Sequence, residues 1–453
     1  GDGEVSNVSQ EQMIAFEMAG RIWSHYLKDD ITVDVHIDVS NDLPEGVIGG
    51  GIPGFIEEEF SDIKQHLEED AISNDDITAA LNLDRKANQS DSIRTDDGTS
   101  VPANWDQLST NSPDLRQEIT FYTDGPEGPQ WSSSSTVNQE ALSPTKANRK
   151  AMGFEPDAAT GLDGYILMNN LADTPYHWHY DRYDASGRSI DPLEANEIDF
   201  LSVAVHELGH VLGFVSGIDY QPSEWIGLYE NESYIDGLRE SENTAALNSM
   251  FDTRTALSST LDLFRYVPHY YSGSSFRDLS IGGEPFFSIA NSNGSVGFNP
   301  IANFANGRLG DPVLEQRIGG LDDFQASHWE LGVDGIMVPA IMPGQRNTIS
   351  ETDLIAFDVI GYDLSNRFNL PNYASLYQSS QAAVSAYSYP RTTQSRLDDV
   401  IAMIDASPMY EGRGSRRTTR RQELLEVFAQ EALFSSFGMD EWKAYLESVS
   451  LKA

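Results

Sequence analysis

The sequence predicts an α+β fold, with strands of a twisted mixed sheet, one long buried helix and a small helical region at the C-terminus. Apolar and polar residues alternate over residues 31–39, as in a half-buried strand. Apolar residues recur every three or four positions over residues 198–212, as on the buried face of a helix. With 453 residues, of which 39% are hydrophobic, the chain can bury a substantial core.

The other elements follow from the same periodicities. In chain order, we predict a helix over 9–28, the strand over 31–39, a glycine-rich turn over 46–54, helical structure over 55–83, a polar loop over 87–112, strands over 119–122 and 164–168 with a short helix over 147–153 between them, and the buried helix over 198–212.

Composition changes near residue 365. Residues 366–453 contain ten basic and ten acidic residues, so the acid excess of the chain belongs entirely to residues 1–365. After this change, apolar residues at spacings of three and four predict helices over 394–406, 419–436 and 439–450.

The overall charge excludes several kinds of partner. The formal net charge is −42, from 71 acidic and 29 basic residues, so phosphate groups of nucleic acids and anionic membranes would be repelled. No apolar run reaches the length of a transmembrane helix.

The acid excess also indicates the setting of the protein. An excess of this size suits high ionic strength, so we expect a mature exported protein of a saline extracellular setting. The sequence predicts no oligomeric state. The chain has no cysteine, so any metal ligands must be His, Asp or Glu.

The sequence His206-Glu207-Leu208-Gly209-His210 is the most informative motif. Residues four apart share one face of a helix, so both imidazoles can hold one zinc ion while Glu207 reaches a water beside it. This is the chemistry of peptide-bond hydrolysis by zinc proteases. A catalytic zinc site usually has three protein ligands, so a third ligand is expected elsewhere.

The residues alone leave the third ligand open. One large class of zinc proteases places a histidine three residues after the glycine that ends the helix, but this chain has Ser216 there. The remaining candidates are Asp219, Glu232, the pair His177 and His179, and His328.

The region around His328 resembles leishmanolysin-like metzincins, and in particular exported bacterial metalloproteases of that kind. The resemblance rests on His206–Phe214, on Ser327-His328-Trp329, on Met337 in a Met-Val-Pro turn, and on the segment 349–362. It covers residues 30–364 in outline and is specific at 198–219 and 321–364.

The resemblance implies a metzincin-like fold with an active-site helix and a methionine turn. His328 would be the third zinc ligand, and Met337 would form an apolar base under the metal, with Met342 as the alternative for that role. Some metzincins carry a transition-state tyrosine two residues after the turn methionine, but this chain has Pro339 there.

We therefore expect a secreted zinc endopeptidase that cleaves protein or peptide substrates, with Glu207 as general base. Strand 164–168 is either the rim that pairs with substrate or an internal strand. Glu197 and Asp199 are explained as acidic residues at the start of the helix. The alternatives are a thermolysin-type peptidase with Glu232 as third ligand, and a surface protein that retains the fold without catalysis.

Three units are predicted on this basis. Residues 1–213 would form an N-terminal catalytic subdomain with the zinc helix. Residues 214–365 would supply the third ligand and the methionine turn, and residues 366–453 would form the helical C-terminal extension.

Overall fold

The fold is described from a computed structural model of the whole chain. The structure describes residues 8–40, 43, 47–83, 141–154, 161–172, 174–184, 186–220, 258–268, 285–289, 300–305, 324–365, 369–386 and 394–410, together with the backbone of strands at 92–94, 100–102, 115–125, 128–139 and 275–277.

Helices and small sheets alternate along the described chain, as expected of an α+β protein. The α-helices are α1 (Gln10–Tyr26), α2 (Phe60–Asp70), α3 (Asn74–Leu83), α4 (Lys146–Ala151), α5 (Phe200–Leu212), α6 (Glu351–Val359), α7 (Tyr373–Ala386) and α8 (Gln394–Asp405).

The strands are mostly short. They are β1 (Val35–Ser40), β2 (Gly49–Pro53), β3 (Glu58–Glu59), β4 (Ser92–Arg94), β5 (Ser100–Pro102), β6 (Leu115–Gly125), β7 (Gly128–Gln139), β8 (Ala141–Leu142), β9 (Gly164–Asn169), β10 (His177–His179), β11 (Glu197–Asp199), β12 (Arg265–Pro268), β13 (Ser275–Arg277), β14 (Phe286–Phe287) and β15 (Ala302–Asn303).

A three-stranded sheet in the order β1–β9–β2 supports the site. Strand β9 runs parallel to β1 and antiparallel to β2, with Ile166 opposite Ile37 on one side and Gly51 on the other. Residues 164–168 therefore form an internal strand, and the alternative that they form a substrate-pairing rim is wrong.

Helix α5 packs against β2, β9 and α1. All of its residues are buried except Leu208, which is half-buried, because the helix is apolar on nearly every side. The Trp23 indole N–H of α1 donates a hydrogen bond to the Val205 carbonyl oxygen at 2.9 Å. The predicted buried helix is confirmed, and contacts with α1, β2 and β9 hold it in place.

Strand β2 corrects the prediction of a turn over residues 46–54. Its five residues are all buried and pair with β9. A Cβ atom on Gly51 would lie 3.0 Å from the Glu207 carbonyl oxygen of α5. The glycines therefore permit a close approach of strand and helix, which composition alone does not distinguish from a turn.

The predicted helical segment 55–83 is divided. Strand β3 pairs with β8 at its start, and helices α2 and α3 are separate. The Ser73 hydroxyl accepts hydrogen bonds from the backbone N–H groups of Asp75 and Asp76, which begins the new helix α3.

The remaining predicted helices and strands were confirmed only in part. The strand over 31–39 begins only at Val35, and strands β4 and β5 lie in the predicted loop 87–112. The predicted elements at 9–28, 119–122, 147–153 and 394–406 are confirmed as α1, β6, α4 and α8 with small shifts of their ends. The helices predicted over 419–436 and 439–450 lie outside the described residues.

Two helices from the C-terminal region pack on the body of the protein. Helix α7, which was not predicted because its sequence is rich in Ser and Tyr, packs against α1. Helix α8 contributes Val400 and Met403 to a core cluster with Phe55 and Leu167. The unit boundaries at 213 and 365 remain predictions. None of the described helices is long and apolar enough to cross a membrane.

Candidate metal centre

Helix α5 places His206 and His210 on one face. The helix begins at Asp199, whose carboxylate accepts a hydrogen bond from the Ser202 backbone N–H at 3.0 Å, so the predicted capping role of Asp199 is confirmed. It ends at Gly213, whose φ of 127° favours glycine. Because four positions correspond to about one turn, the two imidazole centroids lie 4.6 Å apart.

A third imidazole, that of His328, meets this pair. The Nε2 atom of His206 lies 3.0 Å from Nε2 of His210 and 3.3 Å from Nε2 of His328. One ring nitrogen from each of the three residues lies within 4.8 Å of the other two. All three side chains are buried. The structure thus brings together the three histidines predicted as ligands.

Backbone carbonyl groups orient the three rings. The Nδ1 atoms face the carbonyl oxygens of Ile336 at 2.8 Å from His206, of Phe214 at 2.8 Å from His210, and of Gln325 at 3.3 Å from His328. A carbonyl oxygen can only accept a hydrogen bond, so each Nδ1 carries the proton. Each Nε2 atom then presents a lone pair to the centre.

This donor set fits a divalent metal ion. Converging lone pairs repel one another and attract a cation. Around a tetrahedral zinc ion with Zn–N distances of about 2.0–2.1 Å, the ligand nitrogens lie roughly 3.4 Å apart, close to the spacings found between the imidazoles. Three protein ligands would also leave a fourth position for water or substrate.

Burial keeps the three imidazoles neutral. Desolvation, reinforced by the neighbouring imidazoles, lowers the pKa of His206 and of His328 well below the ordinary value for histidine. Desolvation also lowers the pKa of His210 to about 4. Neutral imidazole is the form that binds a metal ion, so the group is ready to bind one at neutral pH.

Met337 lies directly against α5. A Cβ atom built on Gly209, one residue before His210, would lie only 2.4 Å from the Met337 sulfur. Met337 is 0% exposed, whereas Met342 is half-buried. Met337 therefore has the contact with the helix that was expected of a residue packed under the centre.

Asp353 of α6 holds the segment that carries His328 and Met337. Its buried carboxylate accepts hydrogen bonds from the Trp329 indole N–H at 2.8 Å and from the Ile336 backbone N–H at 2.8 Å. It also forms a capping box with Ser350. One carboxylate thus joins the histidine, the turn and helix α6. The sequence Ser-x-x-Asp at 350–353 predicts the cap, but not the other two contacts.

Asp219 is not a ligand of this centre. Its carboxylate accepts hydrogen bonds from the backbone N–H groups of Ala326 and Ser327, both at 2.8 Å, and from the Ser327 hydroxyl at 2.6 Å. Asp219 therefore positions the loop that leads into His328. Burial raises the pKa of this carboxyl group to about 6.

Glu207 lies against strand β2. The side chain is 0% exposed, and a Cβ atom on Gly49 would lie 2.8 Å from its Oε1 atom. A Cβ atom on Gly51 would lie 3.4 Å from Oε2. The absence of side chains at these two strand positions makes room for the carboxylate between β2 and α5. Composition did not predict this role, because a glycine-rich segment is also typical of a turn.

The remaining candidates lie elsewhere. His177 is exposed, whereas His179 is buried in a separate group with Asp181 and Asp199. Glu197 lies in β11 with its carboxylate 3.1 Å from His179 Nδ1, so its assignment to the start of the helix is corrected. Glu232 lies outside the described residues.

Comparison of the chain with protein-family models, with curated proteins and with solved structures found no match in any of the three.

Proposed function

We propose that this protein is a zinc-dependent endopeptidase with a leishmanolysin-like metzincin architecture. The observation that carries the proposal is the convergence of three neutral imidazoles, from His206, His210 and His328, with the buried Glu207 on the same helix as two of them. These residues come from a short helical motif and from a segment more than a hundred positions later, as in the family that the sequence resembles.

The roles follow from the chemistry of the side chains. A zinc ion held by three neutral imidazoles would supply Lewis acidity, lowering the pKa of a water molecule and polarising a peptide carbonyl. Glu207 follows His206 directly in the chain, so its carboxylate is the group placed to accept a proton from that water and to return it to the leaving amine. Asp219 and Asp353 keep the third histidine in place.

The glycines of β2 lie beside Glu207, so a peptide substrate bound at the proposed zinc ion would lie near this strand. The acid excess supports an exported protein that works at high ionic strength.

The test compares zinc content and casein cleavage for the wild type and for Glu207→Gln, His328→Ala and Glu232→Ala. Glu207→Gln should retain zinc and lose about 10²- to 10⁴-fold in kcat, the usual contribution of a general base. His328→Ala should lose zinc, and Glu232→Ala should retain it.

Three outcomes would overturn the proposal. A fully active Glu207→Gln variant would exclude the proposed base. Zinc loss in Glu232→Ala with retention in His328→Ala would indicate a thermolysin-type site. Zinc binding by a wild type that cleaves neither casein nor a peptide library would indicate a non-catalytic protein.

A further inference from the structure

A second group of potential metal ligands lies at the start of helix α5. Strand β10 pairs in parallel with β11, and together they place His179 opposite Asp199. Asp181 follows two residues after His179. One ligand atom from each of these three residues lies within 4.8 Å of the other two. The exposed fractions of the residues are 2%, 6% and 0% for His179, Asp181 and Asp199, so the group is well buried.

The ring of His179 is oriented like that of a metal ligand. Its Nδ1 atom lies 3.1 Å from the Glu197 carboxylate, and the same carboxylate oxygen accepts the Glu194 backbone N–H at 2.9 Å. A carboxylate can only accept, so Nδ1 carries a proton, and Nε2 is the ring nitrogen that would bind a metal ion. Carboxylate–histidine pairs of this kind commonly stand behind a metal ion.

The inner atoms of the group lack hydrogen bonds. Within the described residues, His179 Nε2 and Asp181 Oδ2 are buried without a hydrogen-bond partner. Asp199 Oδ1 also makes no hydrogen bond, although the Arg346 guanidinium lies 3.3 Å from it. His179 Nε2 lies 3.6 Å from Asp181 Oδ1, which is too long for a hydrogen bond but close to the roughly 3.4 Å between two ligands of one tetrahedral ion. Asp181 Oδ1 accepts a hydrogen bond from Arg346 at 2.6 Å, so the gap lies between His179 Nε2 and a carboxylate whose Oδ2 atom has no hydrogen bond.

The charges of the group are unbalanced. Arg346 is the cation found there, with its Nη2 atom 2.6 Å from Asp181 and 3.3 Å from Asp199. Together with Glu197, the group has three carboxylates and one guanidinium, which leaves two negative charges in a poorly solvated place. Burying uncompensated charge is unfavourable. A divalent ion would neutralise the group, whereas a proton on His179 would remove only half of the excess.

From these contacts we propose that His179, Asp181 and Asp199 bind a second divalent metal ion, of the zinc type, distinct from the ion at His206, His210 and His328. An imidazole nitrogen combined with carboxylate oxygens suits a transition metal better than calcium, which takes oxygen ligands. The ion would join His179 of β10 to Asp199, the N-cap residue of α5. Arg346, which pairs with the same carboxylates, connects the group to the segment after the methionine turn. Its role is structural, because Asp199 already caps the helix that carries the first site.

The test uses the full-length protein, stripped with a chelator and dialysed against a buffer of fixed free zinc. Zinc per chain is then measured by inductively coupled plasma mass spectrometry. The matched pair is His179→Ala and His177→Ala, since both residues lie on β10 but His177 is exposed. We expect two zinc ions in the wild type and in His177→Ala, and one in His179→Ala and in the nearly isosteric Asp181→Asn. Circular dichroism checks that each variant is folded.

The two sites are separable. His206→Ala should also retain one zinc ion, and the double variant His206→Ala/Asp181→Asn should retain none. One ion per wild-type chain that disappears in His206→Ala, or equal zinc in Asp181→Asn and wild type, would overturn the second site. Neither result bears on the proposed protease activity, which Glu207→Gln tests by itself.

Arg346→Gln distinguishes a metal site from a plain network of ion pairs. Without the guanidinium the carboxylates depend more on the metal, so added zinc should raise Tm more in this variant than in the wild type. An equal loss of Tm in zinc and in chelator would identify an ion-pair network and overturn the site. Calcium raising Tm as effectively as zinc would overturn the assignment to a transition metal.

Discussion

At the scale of single residues, the candidate centre depends on groups that the sequence motif does not contain. The motif supplies two imidazoles and a carboxylate. A backbone carbonyl oxygen sets the direction of each of the three rings, and those of Ile336 and Gln325 lie more than a hundred residues after the motif. Asp219 and Asp353 arrange those distant segments. Partners of this kind typically change metal affinity by about 10- to 100-fold when they are removed.

Asp219→Ala tests this positioning role. The substitution removes the acceptor of three hydrogen bonds and leaves the buried N–H groups of Ala326 and Ser327 unsatisfied. We expect zinc affinity to fall about 10- to 100-fold in a competition titration with a chromogenic chelator. Asp191→Ala, an exposed carboxylate on another loop, is the control and should bind as the wild type does. Unchanged affinity in Asp219→Ala would contradict the role.

Two helix glycines test the contact under the centre. In Gly209→Ala the new methyl group would lie 2.4 Å from the Met337 sulfur, so the free energy of unfolding should fall by about 1–3 kcal/mol. In Gly20→Ala, within α1, the methyl group meets nothing within 4 Å, and stability should rise by about 0.5–1 kcal/mol. Urea unfolding monitored by circular dichroism measures both. Equal effects in the two variants would mean that Met337 does not pack against α5.

At the scale of elements, strand β2 and helix α5 depend on each other. The strand approaches the helix closely because it has glycine at the two positions that face Glu207. Both elements are buried, and both also contact β9 or α1. A Cβ atom on Gly51 would press on the backbone of α5, whereas the atom closest to a Cβ atom on Gly49 is a carboxylate oxygen of Glu207.

Gly49→Ala tests this arrangement. Its Cβ atom would lie 2.8 Å from Glu207 Oε1, the end of a flexible side chain that can move aside. We expect a fall in kcat of about 10²-fold, because a displacement of about 1 Å in a catalytic group has effects of this size. Zinc content should stay close to that of the wild type, and Tm should fall only slightly, because the Cβ atom would also lie 3.1 Å from Val203 and 3.2 Å from Met168. A variant with full activity would show that the Glu207 carboxylate does not need this position.

At the scale of the whole molecule, the acid excess concentrates some carboxylates in partly buried places. Burial, together with the neighbouring Asp363 and Asp29 carboxylates, raises the pKa of Asp70 to about 7. Burial also raises the pKa of Asp29 to about 6. In both cases the folded protein holds the proton more tightly than the unfolded chain does. These groups therefore favour the fold at low pH and oppose it when ionised.

The pH dependence of stability follows from this sign. The stabilising contribution of protonated Asp70 is complete below the unfolded-state pKa of about 4 and is lost as the pH rises through about 7. Asp70→Asn, which stays neutral, should therefore raise Tm at pH 8 and leave it unchanged near pH 4. Differential scanning calorimetry across this range checks the prediction, with Asp191→Asn as the exposed control. If Asp70→Asn raised Tm above that of the wild type more at pH 4 than at pH 8, the sign of the effect would be reversed and the prediction contradicted.

Local features of the chain could be predicted from sequence because their physical causes are local. The motif at 206–210 indicates two histidines on one helical face, since four residues complete about one turn. Asp199 was assigned to the start of the helix because negative charge there suits the helix dipole. The resemblance at 327–337 then selected His328, which the structure places with the pair. The segment 55–83 was wrongly taken as continuous, because the break at Ser73 depends on a single capping side chain.

By itself, the sequence determined the His-Glu-x-x-His motif on a helix, the absence of thiolate groups, the acid excess and the approximate elements of an α+β protein. Only the tertiary structure decided that His328 approaches His206, that a glycine-rich segment is a strand against Glu207, and that His179, Asp181 and Asp199 form a second group. Periodicity reports contacts within one turn or one strand pair. Contacts between segments more than a hundred residues apart depend on how the elements pack around a shared core, and no local pattern records that packing.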